Sequence, residues 1–240
     1  MKIAHLADIQ IRFGSRHDEY RQVFGRLYED LKIQKPDRIF VGGDLVHHKI
    51  NMSPNSFELL AEFLINLSRI APTDVILGNH DLNLQQLDQG DAISPIFKLG
   101  DMFEPDGNKK SFIVSNKNKK DIDFSKNAVY YFPDSGFYEI NDEIVYGVFS
   151  CKDNEIIELA EKEEGKKYIA LYHGTVLGSR GDNGYELKGD NLMKLGTFDG
   201  FDMVMLGDIH EYQTFDRWEE REINEYELEK YKSEGWEIIK

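Results

Sequence analysis

The chain has 240 residues, with 44 acidic against 29 basic, a formal charge of −15, 40% hydrophobic and 12% aromatic residues, and one cysteine, Cys151. That is enough apolar material for a core and too much for a disordered chain, no apolar run nears the roughly 20 residues of a bilayer span, and one cysteine allows no internal disulfide. The acidic balance argues against a general coat for nucleic acid, which needs clustered Lys and Arg, but not against an enzyme that meets nucleic acid on one face.

In chain order, the first element is a strand, KIAHLAD, ending at Asp8. Asp8 also interrupts the apolar core that a secretory signal would need, so a cytoplasmic setting is expected. Tyr20, Val23, Phe24, Leu27, Tyr28 and Leu31 then recur at helical spacing until Pro36. A second strand, RIFVGGD, ends at Asp44. Ser53 and Pro54 read as the N-cap and first residue of a second helix, with Phe57, Leu60, Ala61, Leu64 and Ile65 as its apolar stripe. A third strand, DVILGNHD, ends at Asp81. Strand, helix, strand, helix, strand is the pattern of right-handed βαβ units and an α/β fold.

The middle changes character. SFIVSN, NAVYYFP, FYEIN and EIVYGVFS read as a meander forming a second sheet, followed by a helix over residues 153–164. Two further apolar runs, YIALYHG and MVMLGDIH, end in His173 with Gly174 and in Asp208 with His210. From about Arg217 the chain is charged and helix-prone.

Ligands in open α/β sheets bind beyond the carboxyl ends of the strands. Here five strand ends carry residues that bind metals: Asp8 with Gln10, Asp44, Asn79 with His80, His173, and Asp208 with His210. An extended backbone would put Asp8 and Gln10 on one side, and likewise Asp208 and His210. Oxygen and imidazole donors without thiolate suit Mn²⁺, Mg²⁺, Fe²⁺ or Zn²⁺ rather than a structural zinc site. There are too many donors for one ion, and two ions about 3.5 to 4 Å apart sharing one carboxylate would account for them.

The motifs D-I-Q at 8–10, G-G-D at 42–44, G-N-H-D at 78–81, Y-H-G at 172–174 and G-D-I-H at 207–210 resemble, in order and spacing, those of the calcineurin-like metallophosphoesterases. MKIAHLADIQIR, GDLVHH and LGDIHEYQ resemble more finely the SbcD-type recombination nucleases, in a phage-like branch, and His47 stands where those nucleases carry a histidine. The resemblance implies a four-layer α/β/β/α sandwich over residues 1–215, a charged helical tail over 216–240, and life in a bacterial or infected host cell. It implies one cation held by Asp8, Gln10, Asp44 and His210 and another by Asp44, Asn79, His173 and Asp208, with Asp44 bridging. His80 would stabilise or protonate the leaving oxygen, His47 would orient substrate or assist, and Asp81 would fix the His80 ring. A hydroxide made acidic by the two cations would attack phosphorus in line. Gln10 and Asp208 depart from the family pattern, which has histidine at both. They make the site harder and favour Mn²⁺, or Mg²⁺, over Zn²⁺. The implied partners are DNA and an SbcC-type ATPase, with no membrane.

Other residues have plainer uses. His5 is expected in the core, His17 at a helix start and His48 in a loop. Asp74 and Asp88 read as turn or surface acids, Cys151 as a small core residue, and the acids between Glu161 and Glu164 as a solvated helix face. Lys109, Lys110, Lys117, Lys119 and Lys120 are a solvated loop or a phosphate contact. Arg12, Arg16 and Arg21 follow the first motif, and Arg12 is the best-placed phosphate anchor. The stripe at 54–70 packs on the sheet or builds a homodimer. Three functions fit: an SbcD-type DNA exo/endonuclease, a phosphatase or phosphodiesterase acting on a small molecule or phosphoprotein, and a scaffold that has lost productive metal binding.

Overall fold

Two sheets face each other in the computed structural model, which describes residues 1–14, 16–48, 52–83, 90–103, 112–115, 122–153, 155–181, 184–189 and 191–209, with 99–103 in backbone only. The elements are β1 (Ile3–Leu6), α1 (His17–Gln34), β2 (Arg38–Val41), α2 (Pro54–Ser68), β3 (Thr73–Ile76), α3 (Ser94–Phe103), β4 (Phe112–Val114), β5 (Val129–Phe132), β6 (Gly136–Asn141), β7 (Ile144–Phe149), β8 (Lys167–His173), a 3-10 turn (Leu195–Phe198) and β9 (Met203–Gly207). The first sheet has the order β1-β2-β3-β5-β4 and the second β6-β7-β8-β9. Every pairing is parallel except the β6–β7 hairpin.

The first two helices form where the sequence predicts them, and α3 is one that the sequence reading did not anticipate. Ser53 caps α2 by accepting a hydrogen bond from the Ser56 amide at 3.1 Å, with Pro54 in the first turn. Leu59, Leu60, Phe63, Leu64 and Leu67 of α2, with Phe24 and Leu31 of α1, cover Ile39, Val41, Val75 and Tyr131 of the first sheet. The stripe of α2 is therefore core. Between the sheets lie Phe40, Ile76, Tyr130, Phe132, Tyr146, Val148, Leu171 and Met205. On the far side of the second sheet, Phe198, Phe201, Ile157 and Val176 pack over Val145, Phe149, Tyr168 and Ala170. Among the described residues that outer cover is a 3-10 turn and irregular chain, and the two facing sheets with helices on the first are consistent with the sandwich type that the resemblance implies.

Four expectations need correction. SFIVSN and NAVYYFP belong to the first sheet, as β4 and β5, not to a meander in the second. VYYF is buried at every residue, as a central parallel strand should be, whereas β6 alternates buried and exposed. The described part of 153–164 is not helical. There Ile157 and Leu159 point inward while Ile156, Glu158 and Ala160 are exposed, a period of two that lays an extended segment over the second sheet. Asp74 is fully buried rather than superficial. It pairs with Arg38 (Oδ1 to Nη2 2.5 Å, Oδ2 to Nε 2.7 Å) and accepts from the Tyr146 hydroxyl at 2.9 Å. That triad ties β2 and β3 to β7 across the sandwich. His5 is exposed at the β1 edge beside Phe40 rather than in the core. Desolvation of its ring lowers its pKa, against a backbone contact with Leu206 that raises it.

Candidate metal centre

The ends of β1, β2, β8 and β9 meet at one point. Backbone hydrogen bonds carry the β1–β2 ladder past the strands themselves, from Asp8 N to Gly43 O (3.2 Å), Gln10 N to Asp44 O (2.8 Å), Ile11 N to Leu45 O (2.9 Å) and His47 N to Ile11 O (3.0 Å). Asp8, Gln10, Asp44 and Asp208 all have positive φ, between 48° and 64°. The left-handed backbone, not the alternation of an extended chain, turns these side chains toward one another. Such strain is held where the surroundings over-determine it, most often at functional sites.

Asp8, Asp44, His173 and Asp208 each offer a ligand atom, all within 4.8 Å of one another. The Asp208 amide donates to both oxygens of Asp8 at 3.2 and 3.3 Å. Asp44 is fully buried. Its Oδ1 accepts from the His80 amide at 2.8 Å. Burial works against the Asp44 charge, but His173 and the His80 amide prevail and hold its carboxyl below the ordinary value. His173 donates from Nδ1 to the Gly42 carbonyl at 2.6 Å. This leaves Nε2 as the ligating nitrogen, fixed in orientation as metal-binding histidines usually are. Burial alone would lower the His173 pKa, yet Asp44 and the Gly42 carbonyl push it up to about 9. The carboxylates that hold this proton would equally attract a divalent cation, which must displace it to reach Nε2.

Two buried atoms give the test of fit. Asn79 Oδ1 is buried with no hydrogen-bond partner, and His173 Nε2 faces only Asp44 Oδ1 at 3.3 Å. Buried polar atoms are rarely left unpaired; the Asn79 oxygen is a donor of the kind a hard cation takes, and His173 Nε2 becomes one once its proton is displaced. The donor set fits a divalent metal centre.

The other predicted residues distribute around it. His80 donates from Nδ1 to the His47 carbonyl at 2.8 Å, and its Nε2 lies 3.9 Å from Asp44 Oδ2. The His47 carbonyl thus holds the ring that Asp81 was expected to fix. Asp81, fully buried, accepts from the amides of Gly78 (2.9 Å) and Val46 (3.1 Å), so it braces the loops that carry Asn79 and Asp44. Burial and the nearby Asp44 push its carboxyl up to about 7. His47 stacks on His80 with centroids 5.7 Å apart and planes at 11°, and His48 lies 4.4 Å from His47. Gln10 sits between Asp44 and His47. Arg12 is exposed; burial first, then the charges of His48 and Arg12, lower the His47 pKa. Arg16 pairs with Glu19 and Arg21 with Glu62. His17 caps the Arg12 carbonyl at 3.0 Å. Cys151 is half-buried against Leu77. His210, Asp88, the five lysines between Lys109 and Lys120, and the tail from 211 lie outside the described residues.

Sequence reasoning missed the residues that make the convergence fit. A Cβ on Gly43 (φ +85°) would stand 2.6 Å from Gly78 N and 2.7 Å from His173 Nδ1. One on Gly78 would run into Asp44, and one on Gly207 into the Gly42 carbonyl and His173. The signal was the glycine before each ligand in GGD, LGN and LGD. Thr175 was missed too: its hydroxyl donates to Asp208 Oδ2 at 2.7 Å. Among the described residues no helix is long and apolar enough to cross a membrane.

The family model for calcineurin-like phosphoesterases matches residues 1–212. An uncharacterised protein of Acanthamoeba polyphaga mimivirus is 36% identical over 223 residues, 88% of this chain and 15% of that protein. The SbcD component of the SbcCD nuclease of Staphylococcus saprophyticus is 26% identical over 228 residues, 88% of this chain and 56% of its own length. A probable cyclic nucleotide phosphodiesterase of Pseudoalteromonas sp. is 34% identical over 99 residues, 39% of this chain and 35% of that one. The chain therefore spans little more than half of one of these relatives and far less of the others.

Proposed function

The chain belongs to the calcineurin-like phosphoesterase family, and from that premise we propose that it is a metal-dependent DNA exo/endonuclease of SbcD type, in a phage-like branch, working with an SbcC-type ATPase. The observation that carries the hydrolytic part is the convergence of Asp8, Asp44, His173 and Asp208 within 4.8 Å, with the unpartnered buried oxygen of Asn79 in addition. The likeness to the staphylococcal SbcCD nuclease component supports the nucleic-acid part.

Two divalent cations, Mn²⁺ or Mg²⁺, would be held by Asp8, Asp44 and His210 and by Asp44, Asn79, His173 and Asp208, and would supply Lewis acidity and an activated water. The chain's own residues do the rest. His80, with Nδ1 committed to the His47 carbonyl, leaves Nε2 on the side of Asp44, where it would stabilise or protonate the leaving oxygen. Arg12 anchors a flanking phosphate from the rim. The buried Asp81 keeps Gly78 and Val46 in place, so that Asp44 and Asn79 do not drift apart. The net charge of −15 does not forbid DNA here, because several of the acids face the cations and their local field is reversed when those are bound. The stripe of α2 is used by the core, so a homodimer would use other faces.

A phosphodiesterase acting on small molecules is the second reading, favoured by the acidic surface and the partial likeness to a probable cyclic nucleotide phosphodiesterase. Incubation of the purified protein with Mn²⁺ and linear DNA tests the choice. Degradation that is abolished by Asp44→Ala and by His80→Ala is expected. Hydrolysis of p-nitrophenyl phosphate with intact DNA would select the second reading, and failure to bind any divalent cation would leave a scaffold.

A further inference from the structure

Gln10 occupies a position where the family pattern has a histidine ligand, and the structure gives it another employment. Its backbone is pinned from two sides. The amide donates to the Asp44 carbonyl at 2.8 Å, and the carbonyl accepts from the Tyr20 hydroxyl of α1 at 2.7 Å. With the backbone held in the left-handed region, φ 48°, the side chain runs between Asp44 and His47. Its Oε1 accepts from His47 Nδ1 at 3.0 Å, and its Nε2 reaches Asp44 Oδ2 at 3.5 Å.

The direction of the carboxamide decides what Gln10 can do. Only Oε1 of a glutamine can bind a cation, because its NH₂ is a pure donor. Here Oε1 is engaged by His47, and the NH₂ faces the carboxylate of Asp44. The reverse orientation would set two oxygens, Gln10 Oε1 and Asp44 Oδ2, facing each other with no proton between them, and would offer an NH₂ to a ring nitrogen. The observed orientation satisfies both neighbours.

We propose that Gln10 is a positioning residue and not a metal ligand: its carboxamide bridges Asp44 to His47 and holds the His47 ring with the proton on Nδ1. His47 Nε2 is then the lone-pair nitrogen. The ring plane is fixed twice, by this bridge and by its stacking on His80, whose Nδ1 donates to the His47 carbonyl. Asp44, the buried carboxylate at the middle of the metal cluster, thereby orients both histidines: His80 through its own amide and His47 through Gln10. The proposal rests on the metal reading of the cluster and is independent of which phosphodiester is cleaved.

The test is heteronuclear NMR of the histidine rings in ¹⁵N-labelled full-length protein with EDTA at pH 8, together with Mn²⁺ calorimetry. The wild-type chain is expected to show His47 mainly as the Nδ1–H tautomer. Gln10→Ala should make that tautomer the minor one, and Gln10→Glu, whose carboxylate accepts the same hydrogen bond, should keep it major. Gln10→Ala should also cost at least about tenfold less in Mn²⁺ affinity than Asp44→Ala, which removes a ligand. The effects of Gln10→Ala and His47→Ala on turnover should overlap in the double variant rather than multiply. A wild-type His47 in the Nε2–H form, a tautomer unmoved by Gln10→Ala, or a loss of affinity equal to that of Asp44→Ala would overturn the proposal. Wild-type protein that binds no Mn²⁺ but shows the expected tautomers would sink the metal reading and leave the bridge standing.

Discussion

Gly43→Ala separates backbone strain from site geometry, because Gly165 supplies a matched control. The two glycines share almost the same dihedral, φ +85° and +83°. Gly165 has nothing within 4 Å of a built Cβ, whereas at Gly43 the new atom would meet Gly78 N at 2.6 Å, His173 Nδ1 at 2.7 Å and Gly78 Cα at 2.8 Å. Gly165→Ala should therefore cost only the left-handed strain, about 1–2 kcal/mol. Gly43→Ala adds overpacking, about 1–3 kcal/mol more. Real contacts of this kind begin near 3.0–3.4 Å, so the nearest neighbour of Gly43, Gly78 N, must retreat by about 0.4 to 0.8 Å and the other two by slightly less. Those neighbours are the loop that carries Asn79 and the ring of His173. A site is held to within about 0.5 Å of its working geometry, so Mn²⁺ affinity should fall by roughly ten- to a hundredfold. Urea unfolding gives the first quantity and calorimetry with Mn²⁺ the second. Equal stability losses in the two variants, or Gly43→Ala binding Mn²⁺ within about threefold of wild type, would refute the claim that this backbone seam sets the metal centre.

Three more outcomes follow from the packing. Removing one partner of the buried pair, by Arg38→Met or Asp74→Leu, should cost about 3–5 kcal/mol in unfolding free energy, and the double variant should recover much of the loss; additive losses would contradict the pairing. Thr175→Val should weaken Mn²⁺ binding about tenfold, because Asp208 loses its hydroxyl partner, while Thr175→Ser keeps it; equal behaviour of the two would show the hydroxyl idle. Asp202 accepts the Tyr168 amide and pairs with Lys162 and Lys167, and these contacts lower its pKa from 3.8 to about 2. A depressed carboxyl stabilises the fold above its unfolded pKa and loses that effect as pH falls through its folded value. The stability difference between wild type and Asp202→Asn should thus be level above about pH 5 and shrink from about pH 4 toward pH 2; a difference independent of pH in acid would contradict it.

What could be read from the residues depended on how local the determinants were. The candidate metal-binding residues at the ends of β1, β2, β3, β8 and β9 were visible because each follows an apolar run by one to three positions. The α2 cap was visible for the same reason, with Ser53 and Pro54 adjacent. Sheet membership was not local. β5 pairs with β3, and β4 with β5, through contacts far along the chain, although the unbroken burial of VYYF against the alternation of GFYEIN was a usable signal. Asp74 was misread because its partner Arg38 is 36 residues away. The segment after Cys151 looked helical by composition. Asp153, which accepts from the Ser135 amide and hydroxyl and from the Glu155 amide, leads it instead into an extended path over the second sheet. At the site, residue types were legible and directions were not. Positive φ at Asp8, Gln10, Asp44 and Asp208 arises from the ladder and the glycine contacts, and only coordinates reveal that Gln10 aims its oxygen at His47.

The central claim is that Asp8, Asp44, His173 and Asp208 form a divalent metal centre. Anomalous scattering from a crystal soaked in Mn²⁺ tests it most directly. At least one strong peak is expected within about 2.0–2.4 Å of Asp44 and of His173 Nε2, with Asn79 Oδ1 and the carboxylates of Asp8 and Asp208 completing the surroundings. A fully soaked crystal with no peak among these residues, or with Mn²⁺ only on surface carboxylates, would contradict it.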